Sequence, residues 1–342
     1  MGPEVWMAGV VLVMLIVYTV TGGADFGGGL WDLLAKGPRA NAQRKLIATV
    51  LAPIWEANHV WLIAVIVSLF ICFPPAFATI TTALHIPLTL MLIGIVLRGT
   101  SFVFRSYDAQ DAAHMRRWSV LFAIGSLLTP LMLGVTLGAT ISGTLTIDPI
   151  TNLVQTDFIS DWFAPFPICV GVFTVSLCAF LAAVYLTLET HDEALREDFR
   201  RRALGAAFAV GVMALVCYLV SATGAPRLHE GLGAEAWSMS FQVLTGIFAV
   251  GAIVCLWTRR FRWARACAIV QVGLIVLGMG LTNYPYVVPP DLTIAGAAAP
   301  ESVIHGVLIV FGIGSVLLIP SFMYLYRVFG ATRRTQRPGG DS

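Results

Sequence analysis

The chain has 342 residues, of which 58% are hydrophobic and only 12% charged, with a formal net charge of +2. Soluble domains carry about 25% charged residues, so half that share excludes a water-facing globule, and a mean hydropathy of +0.83 places the chain in lipid. The near-balanced net charge says little about partners; the information lies in where the charges fall.

A membrane span needs about 20 predominantly apolar residues to cross a hydrocarbon core of roughly 30 Å. The first such stretch is 5–23. Glu4, rather than a basic segment, precedes it and the run is long enough to remain as a span, so no cleavable signal peptide is expected. At its far end stands Gly22-Gly23-Ala24-Asp25-Phe26-Gly27-Gly28-Gly29-Leu30-Trp31-Asp32. Glycine clusters on both sides of Asp25 let backbones approach closely, or let the helix open around a carboxylate. Two readings stay open: a water-filled mouth, or a packing notch with a snorkelling acid.

The second stretch, 47–72, carries Pro53-Ile54-Trp55-Glu56-Ala57-Asn58-His59-Val60-Trp61 inside an apolar run. A carboxylate near mid-membrane costs at least about 2.5–3.5 kcal/mol and is rarely there without a partner or a task. Nine residues in from Ile47, at roughly 1.5 Å each, Glu56 falls about 13–14 Å deep. Pro53 frees a backbone carbonyl one turn earlier, which is tolerated where water or a side chain re-satisfies it. Glu56 and His59 are three apart on one helix face, and a carboxyl beside an imidazole is the pair that exchanges protons near neutral pH. The alternative is a static hydrogen-bonded pair that glues helices.

The remaining stretches are 77–97, 118–141, 166–188, 204–223, 237–257, 264–284 and 302–326, making nine. Arg98 closes the third; it is placed to pair Asp25 or Glu56, or to meet phosphate headgroups. His85 and His305 lie in apolar surroundings, but haem ligation needs imidazoles facing a haem-sized gap, and no two histidines match in depth. His114, His191 and His229 fall in loops. The six cysteines, Cys72, Cys169, Cys178, Cys217, Cys255 and Cys267, lie in or at the edges of spans without a C-x-x-C pattern. That argues against a disulfide framework, a zinc site and covalent haem attachment. No metal and no cofactor are therefore expected on this chain's own ligands.

Twenty of the 21 lysines and arginines fall in the links after spans 1, 3, 5 and 7 and in the tail, and Arg227 alone lies opposite. By the positive-inside rule the N-terminus is outside and the C-terminus cytoplasmic, which requires an odd number of spans. The expected fold is thus an all-α integral membrane protein of nine transmembrane helices. Residues 1–330 form a single polytopic membrane domain, and 331–342 a basic cytoplasmic tail expected to be disordered. The longer outer links, 142–165 and 284–301, are too short for separate domains.

Asp25-Phe26-Gly27-Gly28-Gly29, Ala52-Pro53-Ile54-Trp55-Glu56-Ala57-Asn58-His59-Val60-Trp61-Leu62, Phe73-Pro74, Arg98-Gly99 and Phe104-Arg105 resemble subunit II of the cytochrome bd-type quinol oxidases. The motifs occupy roughly the first 110 residues, while the nine-span outline agrees over the whole chain. The resemblance implies a multi-pass protein of the bacterial cytoplasmic (inner) membrane, within a respiratory-chain terminal oxidase that oxidises quinol, reduces O2 to water and contributes to the proton-motive force. It implies two four-helix bundles plus one peripheral helix. The b- and d-type haems would belong to the partner, subunit I; small single-span subunits, quinol and membrane lipid would be further partners, and a bound quinone or lipid would be compatible with the fold. Asp25 would be the cytoplasmic mouth of a proton path and Glu56 its relay, with Asn58 and His59 on the path and Trp55 and Arg98 in support. Relatives often carry Asp where Glu56 stands and Gln where His59 stands. Two other classes of function remain: a proton-coupled secondary transporter, for which interrupted helices should recur in both halves, and an inert membrane assembly scaffold.

Overall fold

The structure is a computed structural model describing residues 2–51, 55–107, 112–233 and 236–335, with backbone only at 51, 55–57, 105–107, 112–116, 236, 318–319, 322–323 and 325–335. Its helices in chain order are α1 (Pro3–Leu33), α2 (Ala40–Leu51), α3 (Trp55–Cys72), α4 (Pro74–Ala83), α5 (His85–Tyr107), α6 (Ala112–Ser142), α7 (Pro165–Glu189), α8 (Glu193–Gly224), α9 (Pro226–Gly233), α10 (Ala236–Trp257), α11 (Phe261–Asn283) and α12 (Glu301–Thr335). Pro3, Pro74 and Pro165 open their helices, where the missing N–H costs nothing and the fixed φ already suits a helix. Asp192 caps α8, its carboxylate accepting from the backbone N–H of Ala194 at 2.8 Å and Leu195 at 3.3 Å.

Seven helices, α1, α5, α6, α7, α8, α10 and α11, are long and apolar enough among the described residues to cross a bilayer. Taken as one bent span, α3 with α4 makes eight; α12 is apolar over the shorter piece Glu301–Leu317. Two expected spans are drawn differently here. Of the stretch 47–72, the described residues belong to α2 up to Leu51 and to α3 from Trp55, and 77–97 divides between α4 and α5 at Leu84. Ahead of it, tandem prolines at Phe73-Pro74-Pro75 end α3 and start α4, so Asn58–Cys72 and Pro74–Ala83 meet at 118°. The span that follows is His85–Phe104.

The two outer links, expected as plain loops, each hold a small antiparallel hairpin. One is β1 (Thr146–Ile147) with β2 (Val154–Gln155), the other β3 (Tyr286–Val288) with β4 (Leu292–Thr293). They are joined to each other, the N–H of Ile147 donating to the Asp291 carboxylate at 2.7 Å. Turns at the first hairpin close on Asp148 and Asp157, whose carboxyls are held below the usual range by the backbone N–H of Ile150 and of Ile159 respectively.

Helices α1 and α7 form the spine. Tyr18, Ala24 and Phe26 of α1, and Phe180, Leu181 and Leu186 of α7, are all buried, and α1 packs on α7, α3, α6 and α11. Outward faces stay apolar, as Phe208, Leu219, Ile247 and Val250 show, which suits lipid rather than water. Charge is segregated by end. Arg39 to Asp198, Arg259 to Glu197 at 3.5 Å and Arg265 to Glu189 at 3.6 Å gather three helix links at one end. Arg227 sits at the other, 4.1 Å from the Tyr286 ring beside the hairpins.

Candidate functional site

The interior charge sits where α1, α5 and α6 cross. These helices can approach because small residues meet: a Cβ on Gly125 of α6 would stand 2.6 Å from the Gly94 carbonyl and 2.9 Å from the Arg98 nitrogen of α5. On α1, a Cβ at Gly27 would run into the Cys178 carbonyl of α7, and one at Gly29 into Ser126 of α6. Glycine at these positions is therefore what brings the backbones of α1, α5, α6 and α7 into contact. The glycine clusters serve close packing here, one of the two readings open from the sequence.

Asp25 and Arg98 meet at this crossing, 1% and 4% exposed. Arg98 Nη1 donates to Asp25 Oδ2 at 2.6 Å and Nη2 to Oδ1 at 2.5 Å, a two-pronged fit of guanidinium on carboxylate. Its Nε donates to the Ser126 hydroxyl at 3.0 Å, and Nη2 also reaches the Asp25 carbonyl at 3.3 Å. Phe26 and Phe122 cover the guanidinium, 4.8 and 5.3 Å from its central carbon. Of the partners open to Arg98, Asp25 is the one it meets among the described side chains. Two buried charges are held this way only when the geometry is good and further bonds satisfy the rest, and here both conditions hold.

The segment carrying His59 and Asn58 abuts the same place. The His59 ring stacks on Phe26, centroids 6.2 Å apart and 25° from parallel, so Phe26 lies against both the Arg98 guanidinium and the imidazole. Asn58, 2% exposed, donates from Nδ2 to the Thr21 carbonyl of α1 at 3.3 Å, tying α3 to α1 one turn from Asp25. Glu56 and Trp55 fall in the first turn of α3, and their side chains lie outside the described residues. The hydroxyl of Tyr18, two turns along α1 from Asp25, is buried with no hydrogen-bond partner among the described residues.

Ser126, Phe26, Phe122 and Tyr18 belong to this site and were not singled out from the sequence. The only trace of Ser126 is a Gly-Ser pair in an apolar span, a pattern shared by many helix contacts. Nor do the remaining histidines gather around a gap. Nδ1 of His85 meets the Thr82 carbonyl and Nδ1 of His305 the Glu301 carbonyl, both on exposed surfaces. Among the described residues no group of three or more His, Cys, Asp or Glu is arranged to hold a metal ion.

Fold and site together define a polytopic helical membrane protein with a buried acid–guanidinium pair at a helix crossing. The family model for cytochrome bd terminal oxidase subunit II matches residues 3–329, and the chain belongs to that family; it is a subunit of a membrane oxidoreductase complex. Cytochrome bd-I ubiquinol oxidase subunit 2 of Escherichia coli is 26% identical over 308 residues, 81% of this chain and 79% of that protein. Cytochrome bd ubiquinol oxidase subunit 2 of Bacillus subtilis is 25% identical over 337 residues, 95% of each. The solved bd oxidase of Geobacillus thermodenitrificans contains a chain of the same fold, with a TM-score of 0.77, 22% identity, and coverage of 96% of this chain and 99% of that one.

Proposed function

We propose that this chain is the haem-free subunit II of a cytochrome bd-type quinol oxidase. It scaffolds the haem-bearing subunit I and supplies the cytoplasmic path by which protons reach the site of O2 reduction. The observation that carries the reading is the buried Asp25–Arg98 pair set against the Asn58–His59 face of the helix whose first turn holds Glu56. Asp25 marks the inner end of the path. Both its oxygens accept from Arg98, so a proton arriving there competes with the guanidinium for the carboxylate; Glu56, three residues from His59 on α3, is the exchangeable relay. The orphan Tyr18 hydroxyl supports the reading, because a buried polar atom of this kind is commonly completed by an internal water.

In this reading the basic end is cytoplasmic and the hairpin end outside. The chain makes nine crossings, counting α3 with α4 as one and α12 as the last, arranged as two four-helix groups with α12 peripheral. Protons taken from the basic side for water formation, while quinol protons leave on the other, contribute to the proton-motive force.

Glu56→Gln in the complex tests the reading. It keeps shape and removes the exchangeable acid, so quinol-driven O2 consumption should fall at least about tenfold, a modest loss beside what a positioned acid or base commonly contributes. Assembly and the haem spectrum should stay near wild type. Unchanged turnover would reject the relay.

A further inference from the structure

At the basic end, the link between α1 and α2 folds against the start of α8 and leaves a cavity of about 340 Å3 lined by Lys36, Pro38, Arg39, Gln43, Asp198, Arg201 and Arg202. Four cationic side chains and one carboxylate line it, Arg201 being bonded to Glu197 at 3.3 Å. Arg39 uses the Asp198 carboxylate fully, Nε to Oδ2 at 2.8 Å and Nη2 to Oδ1 at 2.5 Å, and Gln43 adds a third bond at 2.8 Å. These bonds hold Asp198 below the usual carboxylate range, with the Arg39 bond the largest cause.

What is left over is donors. Arg202 is half-buried and fixed: Trp31 and Phe199 each lie 5.3 Å from its guanidinium carbon, and Nη2 is held by Gln43 Oε1 at 2.8 Å. Its Nη1 is buried and has no acceptor among the described residues. Lys36 stands exposed at the rim with neither a hydrogen bond nor an ion pair among those residues. A preset guanidinium beside a free ammonium, with the local acid already spent, is a site for a phosphate oxygen.

The position selects which phosphate. Arg202 lies two residues before the apolar run 204–223, at headgroup depth, and Trp31 has the place of an interfacial aromatic, its Nε1 bonded to the Ala179 carbonyl at 2.8 Å. Leu33 and Leu34, 45% and 43% exposed, lie next to Lys36 and offer apolar surface to an acyl chain. We propose that this cavity binds the phosphodiester headgroup of an anionic membrane lipid, in a fixed site between the α1–α2 link and α8.

The intact complex, delipidated and returned to nanodiscs of phosphatidylcholine with phosphatidylglycerol, tests this by native mass spectrometry of the retained lipid. Lys36→Gln should lower phosphatidylglycerol retention roughly fivefold, the factor one cationic side chain contributes at an anionic surface, and Arg202→Gln at least as much. Lys36 is exposed and makes no hydrogen bond or ion pair with a described residue, so its variant reads binding rather than folding. Arg262→Gln, an exposed cation at the same end but outside the cavity, should change nothing. The proposal is overturned if Lys36→Gln and Arg202→Gln both retain lipid like wild type, or if Arg262→Gln loses as much as they do, which would leave only a diffuse basic surface. Saturable, Arg202-dependent binding of inorganic phosphate without retained phosphatidylglycerol would also overturn it.

Discussion

Arg98 and Asp25 hold as a pair or not at all, because each alone would be a charge without solvent or partner. Asp25→Asn strands the guanidinium under Phe26 and Phe122, and breaking a buried pair in this way costs about 3–5 kcal/mol. Assembly should fall with it. Asp25→Asn combined with Arg98→Gln removes both charges, and the double variant should regain most of the lost thermal stability of the complex. That recovery separates structure from transport: if Asp25 is the inner end of the proton path, the double variant assembles yet still consumes O2 slowly. Full assembly with wild-type turnover would reduce Asp25 to a packing role. From the sequence, Arg98 was visible as a partner for Asp25, for Glu56 or for headgroups. Choosing among them needs the rotation of α5 about its axis, which Gly94 and Gly125 fix by contact and which the letters alone do not carry.

Between helices, the decisive contacts are backbone to backbone. Gly27→Ala would force α1 away from the Cys178 carbonyl of α7, and overpacking of this kind typically costs about 1–3 kcal/mol. The melting temperature of the complex should drop, whereas Gly9→Ala, with nothing within 4 Å of the new methyl, should leave it unchanged. Equal behaviour of the two would mean that the α1–α7 contact is looser than the structure has it. The glycine clusters were conspicuous in the sequence, but opening and packing need the same residues, so their purpose was not. The bend after α3 was missed for a different reason. Phe73-Pro74 marks the end of a span in the sequence, yet the apolar run from 77 continues through α4 into α5, and a hydrophobicity sum does not register direction. Strands of two or three residues, as in the hairpins, are shorter than any alternation that could announce them.

For the molecule as a whole, charge carries further than any motif. The basic links cluster at one end through Arg39 with Asp198, Arg259 with Glu197 and Arg265 with Glu189, while Arg227 lies with the hairpins. Met7 near the start of α1 and Ile304 near the start of α12 pack in one cluster with Leu145 and Val288 beside the hairpins, so both helices begin at that end. Translocating a basic link across a bilayer against the membrane potential is unfavourable, whereas the Asp-bearing hairpin end carries one arginine to move. The basic end should therefore be cytoplasmic. Ile150→Cys, at a site 89% exposed on the first hairpin, should react with a membrane-impermeant maleimide in intact spheroplasts. Arg262→Cys, exposed at the basic end, should react only after lysis. The native cysteines lie in or at the edges of spans, so the parent protein sets the background for both. The opposite pattern of labelling would invert the chain in the membrane, put Asp25 nearer the outer face, and remove the cytoplasmic source on which the proton path depends.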